Sequence, residues 1–106
     1  MMDMNVENEL NLEQICMEII SASGQARGLL LEAMDYLKPR DDKKIRELLS
    51  EANTALRQAH RSQTALMSAE SGGRKVEMSV LLVHAQDHLM TTMTIRDMIE
   101  KLVEVL

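Results

Sequence analysis

The chain has 106 residues, 45% hydrophobic and 27% charged, a balance that suits one folded domain and argues against wholesale disorder. With ten Met, one Tyr (Tyr36), no Phe or Trp, four Gly and one Pro, the core must be aliphatic and Met-filled, and an all-β sandwich or barrel lacks its turns and aromatic strands. A net charge of −5 with no basic cluster speaks against nucleic acid, and no charge-free run approaches the ~20 apolar residues of a membrane span.

Residues 1–9 are polar and aperiodic and read as a loose, disordered tail; one domain is expected over 10–106. From about Leu10 the pattern is helical. Leu12, Ile15, Ile19, Ala22, Ala26, Leu29, Ala33 and Leu37 recur at three- and four-residue steps, a run that should stop at Pro39. Asp41 and Asp42 then open a second helix, since acidic side chains suit the exposed N–H groups at a helix start. Its stripe is Ile45, Leu48, Leu49, Ala52, Ala55 or Leu56, Ala59 and Leu66. Ser71-Gly72-Gly73-Arg74-Lys75 reads as a flexible turn, and a third helix is expected from Met78 or Ser79 to about Val105. Three helices of roughly 25–29 residues joined by short connections imply an all-α, antiparallel up-down-up three-helix bundle.

The third helix breaks the usual rule of one apolar stripe and one wet face. At about 100° per residue, Leu81, Leu82, Val83, Leu89, Met90 and Met93 surround the axis. A helix apolar all round is buried all round. Two companions cannot enclose a third helix, so its remaining side is expected to meet another protomer. Along that side Val80, His84, Asp87, Thr91, Thr94 and Met98 follow the 4-3-4-3-4 spacing of a coiled-coil seam. Burying His84 and Asp87 there would cost several kcal/mol without partners. Either the polar seam residues set register and oligomer number, or the cluster His84, Gln86, Asp87 and His88 does chemistry.

Several chemistries fail on the residues. His84 and His88 share a face at i,i+4 and admit a metal clamp. The zinc-protease pattern needs Glu after the first His, where Ala85 stands. Ferritin-like sites need Glu three residues before each His, where Arg57, Leu81 and Ala85 stand. No phosphate-binding Gly-rich loop and no nucleophilic-serine elbow is present. Cys16 lies among apolar residues and reads as a small buried hydrophobe; a single Cys with no secretory signal fits a reducing cytoplasm. Histidine as a nucleophile remains: one imidazole nitrogen attacks phosphorus while the other holds its proton. A carrier of this kind needs no substrate pocket. It needs an exposed nitrogen and donors for the phosphoryl oxygens, for which Gln86, His88 and the threonines are candidates.

Val83-His84-Ala85-Gln86-Asp87-His88-Leu89-Met90-Thr91-Thr92 resembles the signature of the lactose/cellobiose-type enzyme IIA of the bacterial phosphoenolpyruvate-dependent sugar phosphotransferase system. Ala59-His60-Arg61-Ser62-Gln63-Thr64 and Ser23-Gly24-Gln25-Ala26-Arg27 are similar to two further stretches of that family. The resemblance covers about residues 12–105. It implies that His84 takes a phosphoryl group from the phosphohistidine of HPr through Nε2 and passes it to a cysteine of enzyme IIB, which serves a lactose-, cellobiose- or chitobiose-type disaccharide entering through IIC. It further implies a homotrimer whose three Asp87 carboxylates share one Mg2+ on the axis. His88 and Gln86 match the motif as supports of the phosphoryl site. His60 and Gln63 read as structural, Arg27 as a solvated surface residue, and Gly24 and Gly28 as a small-x-x-x-small packing pair. Ala85 stands where some members have Gly, the Pro39-Arg40-Asp41-Asp42 turn has a composition of its own, and no residue of this chain reads the sugar. A non-catalytic oligomeric scaffold and a metal sensor using His84 and His88 are the competing readings.

Overall fold

Each of the three helices begins at a side chain that satisfies its first free N–H groups. A computed structural model describes residues 11–106, so the tail expected over 1–9 lies outside the described residues. The helices are α1 (Leu12–Met34), α2 (Asp42–Ser71) and α3 (Val80–Val105). Asn11 Oδ1 accepts from Gln14 N at 3.2 Å, Asp41 Oδ1 from Lys44 N at 3.2 Å, and Ser79 Oγ from Leu82 N at 3.0 Å.

The helix ends depart from the sequence expectation in one place. α1 was expected to run to Pro39, yet it stops at Met34. Proline clashes with the carbonyl four residues earlier and disfavours helical backbone at Lys38, so regular winding gives out a full turn ahead of it. The chain tightens instead: Tyr36 N donates to Ala33 O at 3.0 Å and Leu37 N to Met34 O at 3.2 Å. Arg40, at φ 58°, turns the chain into α2. The second turn falls where expected. Gly73 takes φ 93°, a conformation that suits glycine, and Arg74 N closes onto Ala69 O at 3.0 Å.

Cross-helix pairs set the directions. Gln63 meets Gln86 while Asn53 meets Arg96, so α2 and α3 run antiparallel. Gly24 lies beside His88 while Arg27 reaches Thr91 and Thr92, so α1 and α3 run parallel. The result is the up-down-up bundle, with no strand among the described residues. α1 packs along both other helices, which touch one another far less. Its buried residues are accordingly Cys16, Ile19, Ser23, Ala26, Leu30 and Ala33, at a 3-4-3-4-3 spacing, with Ala22 beside them. Of the expected stripe, Leu12, Ile15 and Leu29 are only partly buried, and Leu37 lies beyond the helix. Cys16 is buried as expected, and Ser23 joins it because small side chains fit where helices approach closely. Ala52, Ala55 and Ala59 do the same in α2. The core is aliphatic but not Met-filled as expected: Met17, Met34, Met67, Met78, Met90 and Met98 are exposed and Met93 is only partly buried, since Leu, Ile and Ala fill the helix contacts.

α3 buries Leu82, Ala85, Leu89, Thr92 and Ile99. The six seam residues Val80, His84, Asp87, Thr91, Thr94 and Met98 are all exposed on the chain by itself, with Val80 at 88% and Met98 at 60%. The apolar ring seen in the sequence therefore has one side in the intrachain core and one side uncovered. No helix of the described residues is long and apolar enough to cross a membrane.

The packing predicts a contrast between neighbours. Leu30, fully buried, should cost about 2–5 kcal/mol as Leu30→Ala, whereas the half-exposed Leu31 should change stability by less than about 0.5 kcal/mol as Leu31→Ala. Urea unfolding at fixed protein concentration measures both, and equal midpoints for the two variants would contradict this core.

Candidate functional site

His84 and His88 lie one turn apart on α3, and a rise of about 6 Å over four residues lets their rings stack. The ring centroids are 5.7 Å apart and the planes differ by 12°. His84 is exposed and shares a shallow groove with Met78, Ser79, Val80, Val83 and Asp87. His88, half-buried, faces α1 at Gly24, where an added Cβ would lie 3.5 Å from His88 Nε2. At that distance an added Cβ would be in ordinary van der Waals contact with the ring, so Gly24 borders His88 without being required by it. Among the described residues Gly28 has no neighbour within 4 Å of its would-be Cβ, so the expected small-residue pair is not a close helix contact.

Arg27 is the residue that sequence reasoning misplaced. It was expected in solvent, but it is half-buried and ties α1 to the His88 turn of α3. Its Nε donates to Thr92 Oγ1 at 3.0 Å, and its Nη2 donates to the His88 carbonyl at 3.1 Å and to Thr91 Oγ1. A guanidinium can only donate, so both threonine hydroxyls accept from it and spend their own protons elsewhere. Thr92 donates to the His88 carbonyl at 2.7 Å and Thr91 to the Asp87 carbonyl at 2.8 Å. Every proton in this network has one direction. The signal in the sequence was weak: an arginine bordering a seam of small residues, and a threonine pair one turn beyond a histidine.

Burial lowers the His88 pKa below its ordinary value. The Arg27 and His84 charges push the same way, and Asp87 opposes them. The neutral ring is thus favoured beside the exposed His84. Burial also pushes the Cys16 thiol up, which keeps it protonated and inert, as expected of a core residue.

Gln86 points elsewhere. Its Oε1 accepts from Nε2 of the buried Gln63 at 2.7 Å, which leaves its own amide nitrogen free to donate. Gln63 also approaches Met90 Sδ at 3.8 Å, in keeping with a structural role. Gln86 lines a second groove with Met67, Met78, Val83, Asp87 and Met90, without His84. Asp87, exposed, borders both grooves. His60 lies apart, exposed in a groove with Arg57, Arg61, Met93 and Arg96. Among the described residues no three His, Cys, Asp or Glu side chains are grouped to hold a metal ion. A single chain supplies one carboxylate at Asp87.

Because the folded state disfavours a charged His88, its contribution to stability is present above the ordinary histidine pKa of about 6.5 and is lost as pH falls through the lowered folded-state value. Acidification from about pH 7.5 to about pH 5 should therefore lower the urea midpoint of the wild type more than that of His88→Asn. Parallel pH profiles for the two proteins would contradict it.

The model of the family "PTS system, Lactose/Cellobiose specific IIA subunit" matches residues 14–106. The lichenan-specific phosphotransferase enzyme IIA component of Bacillus subtilis (strain 168) is 43% identical over 93 residues, covering 88% of this chain and 84% of that protein. The N,N'-diacetylchitobiose-specific EIIA component of Escherichia coli (strain K12) is 41% identical over 93 residues, covering 88% and 80%. A crystal structure of a cellobiose-specific enzyme IIA from Bacillus anthracis superposes with a TM-score of 0.84 at 37% identity, covering 90% of this chain and 87% of that one. With its three-helix fold and the stacked histidines of α3, the chain belongs to the lactose/cellobiose-specific IIA family of the phosphotransferase system.

Proposed function

We propose that the protein is a cytoplasmic phosphocarrier: His84 accepts a phosphoryl group from phospho-HPr and passes it to the cysteine of enzyme IIB, for uptake of a lactose-, cellobiose- or chitobiose-type disaccharide. The observation that carries this reading is an exposed imidazole stacked on a second, half-buried imidazole, on a helix face that the other described residues leave open.

The chemistry balances without a further reactant. The lone pair of neutral His84 Nε2 attacks phosphorus, the P–N bond to the HPr histidine breaks, and its electron pair returns to that imidazole. In the second transfer the IIB thiolate attacks, and the P–N bond to His84 breaks with its pair returning to His84. His88 supports the site from beneath, its ring held neutral and able to donate one N–H to a phosphoryl oxygen. Gln86 is the second candidate donor, since Gln63 engages its carbonyl oxygen and leaves its amide hydrogens available.

A homotrimer packed through α3 suits the uncovered face. Val80, Val83, Met90 and Met98 are exposed there beside the polar seam, an apolar surface that association would remove from water. One Asp87 from each of three copies would hold an Mg2+ ion, for which carboxylate oxygens are the right donors. Bound there, the ion would offset charge: two carboxylates about 4 Å apart repel by about 4 kcal/mol at an effective dielectric of 20. Asp87 takes no part in the transfer steps.

Incubation with phosphoenolpyruvate, enzyme I and HPr should add one phosphoryl mass, acid-labile and alkali-stable, and His84→Ala should abolish it. Uptake by His84→Ala at the wild-type rate would refute the assignment, and a wild type that is never labelled would favour an oligomeric scaffold. Light scattering should give a trimer mass at micromolar concentration. Asp87→Leu should remain trimeric and unfold at a higher temperature, because it removes like charges from the axis; dissociation to monomers would overturn that role for Asp87.

A further inference from the structure

We propose that Arg27 is a positioning residue for the phosphocarrier site: its fork between α1 and the His88 turn of α3 holds the His84–His88 ring stack in one orientation. The inference rests on the carrier reading given above and adds a residue on a different helix from the nucleophile.

The geometry has three parts. First, α1 and α3 run parallel, so Gly24 and Arg27, one turn apart on α1, meet His88 and the Thr91–Thr92 pair, one turn apart on α3. Gly24 borders the His88 ring, and Arg27 sets how far α3 can slide or rotate past α1. Second, the contact is a fork rather than a point. Nε and Nη2 engage the Thr92 hydroxyl, the Thr91 hydroxyl and the His88 carbonyl together. Three acceptors at fixed angles to a planar group resist rotation in a way one ammonium contact does not. Third, the acceptors are themselves committed. The two threonine hydroxyls donate back to the carbonyls of Asp87 and His88, the adjacent residues that carry the seam carboxylate and the ring. The backbone that carries Asp87 and His88 is thereby held by Arg27 directly and through both threonines.

Arg27 is committed to acceptors on the far side of the His88 turn from His84. Its partners lie at the carbonyl of His88 and one turn beyond it, whereas His84 lies one turn before. It acts through His88, whose ring stacks on His84. Misplacement of a reacting group by about 1 Å can cost as much as a hundredfold in rate, so a loosened His88 turn should be read in kcat.

The test compares wild type, Arg27→Met, Arg27→Lys and Thr92→Val in single-turnover and steady-state transfer from phospho-HPr, with circular dichroism and light scattering to confirm fold and assembly. Arg27→Met is expected to lower kcat at least about tenfold with little change in KM for HPr. Arg27→Lys, which keeps the charge and loses the fork, should remain well below wild type. Thr92→Val, which keeps the shape and deletes one acceptor, should give a smaller loss in the same parameter and serves if Arg27→Met fails to fold. Imidazole 15N–1H long-range spectra of the unphosphorylated protein should show one set of His84 and His88 ring signals in the wild type and exchange-broadened ones in Arg27→Met. A folded Arg27→Met with wild-type kcat, or one altered only in KM, overturns the proposal. If the wild type accepts no phosphoryl group, the carrier reading fails; ring signals that then stay equally sharp in both proteins overturn the positioning of the stack as well.

Discussion

The uneven cover of α3 governs the rest of the molecule. One side of that helix, marked by Leu82, Ala85, Leu89, Thr92 and Ile99, is sealed against the other helices. The other side carries Val80, Val83, Met90 and Met98 in the open, interleaved with His84 and Asp87. Among the described residues no fourth element covers that side. The same geometry leaves His84 exposed on the single chain, as the proposed carrier role requires.

The site is built by contrast between two histidines on one face. His84 is exposed; His88 is half-buried, borders Gly24 and is disfavoured in its charged form. The contrast comes from α1. Its Gly24 borders the ring, and its Arg27 supplies positive charge and holds the backbone. Arg27 has neutral oxygen acceptors in this network, so its charge is felt by His88 rather than cancelled by these partners. Gln63 plays a comparable part on the α2 side, fixing which end of the Gln86 amide is engaged.

The bundle was legible because its signals are local. Asp41 and Ser79 cap as short polar residues do, and Gly72–Gly73 ends α2 as a glycine pair does. The seam of α1 was read less well. Ile19, Ala22, Ala26 and Ala33 are buried as expected, and so is Cys16, but Ser23 and Leu30 complete the buried face while Leu12, Ile15 and Leu29 are only partly buried. The rotation of α1 against its two neighbours decides which flank of the stripe is covered. The end of α1 was misread because proline acts on the carbonyl four residues back, so its effect begins before its own position.

What the sequence determined by itself was the helix count, the second turn and the stretch from Val83 to Thr92 that marks the family, since each is a matter of spacing along one element. The tertiary structure decided what crosses between elements: that Gly24 rather than Gly28 borders His88, that Arg27 leaves solvent for two threonines and a carbonyl, and that Gln86 is engaged by Gln63 while His60 lies apart. Those contacts join residues more than twenty positions apart, and their partners are chosen by the direction and rotation of whole helices, which no local periodicity encodes.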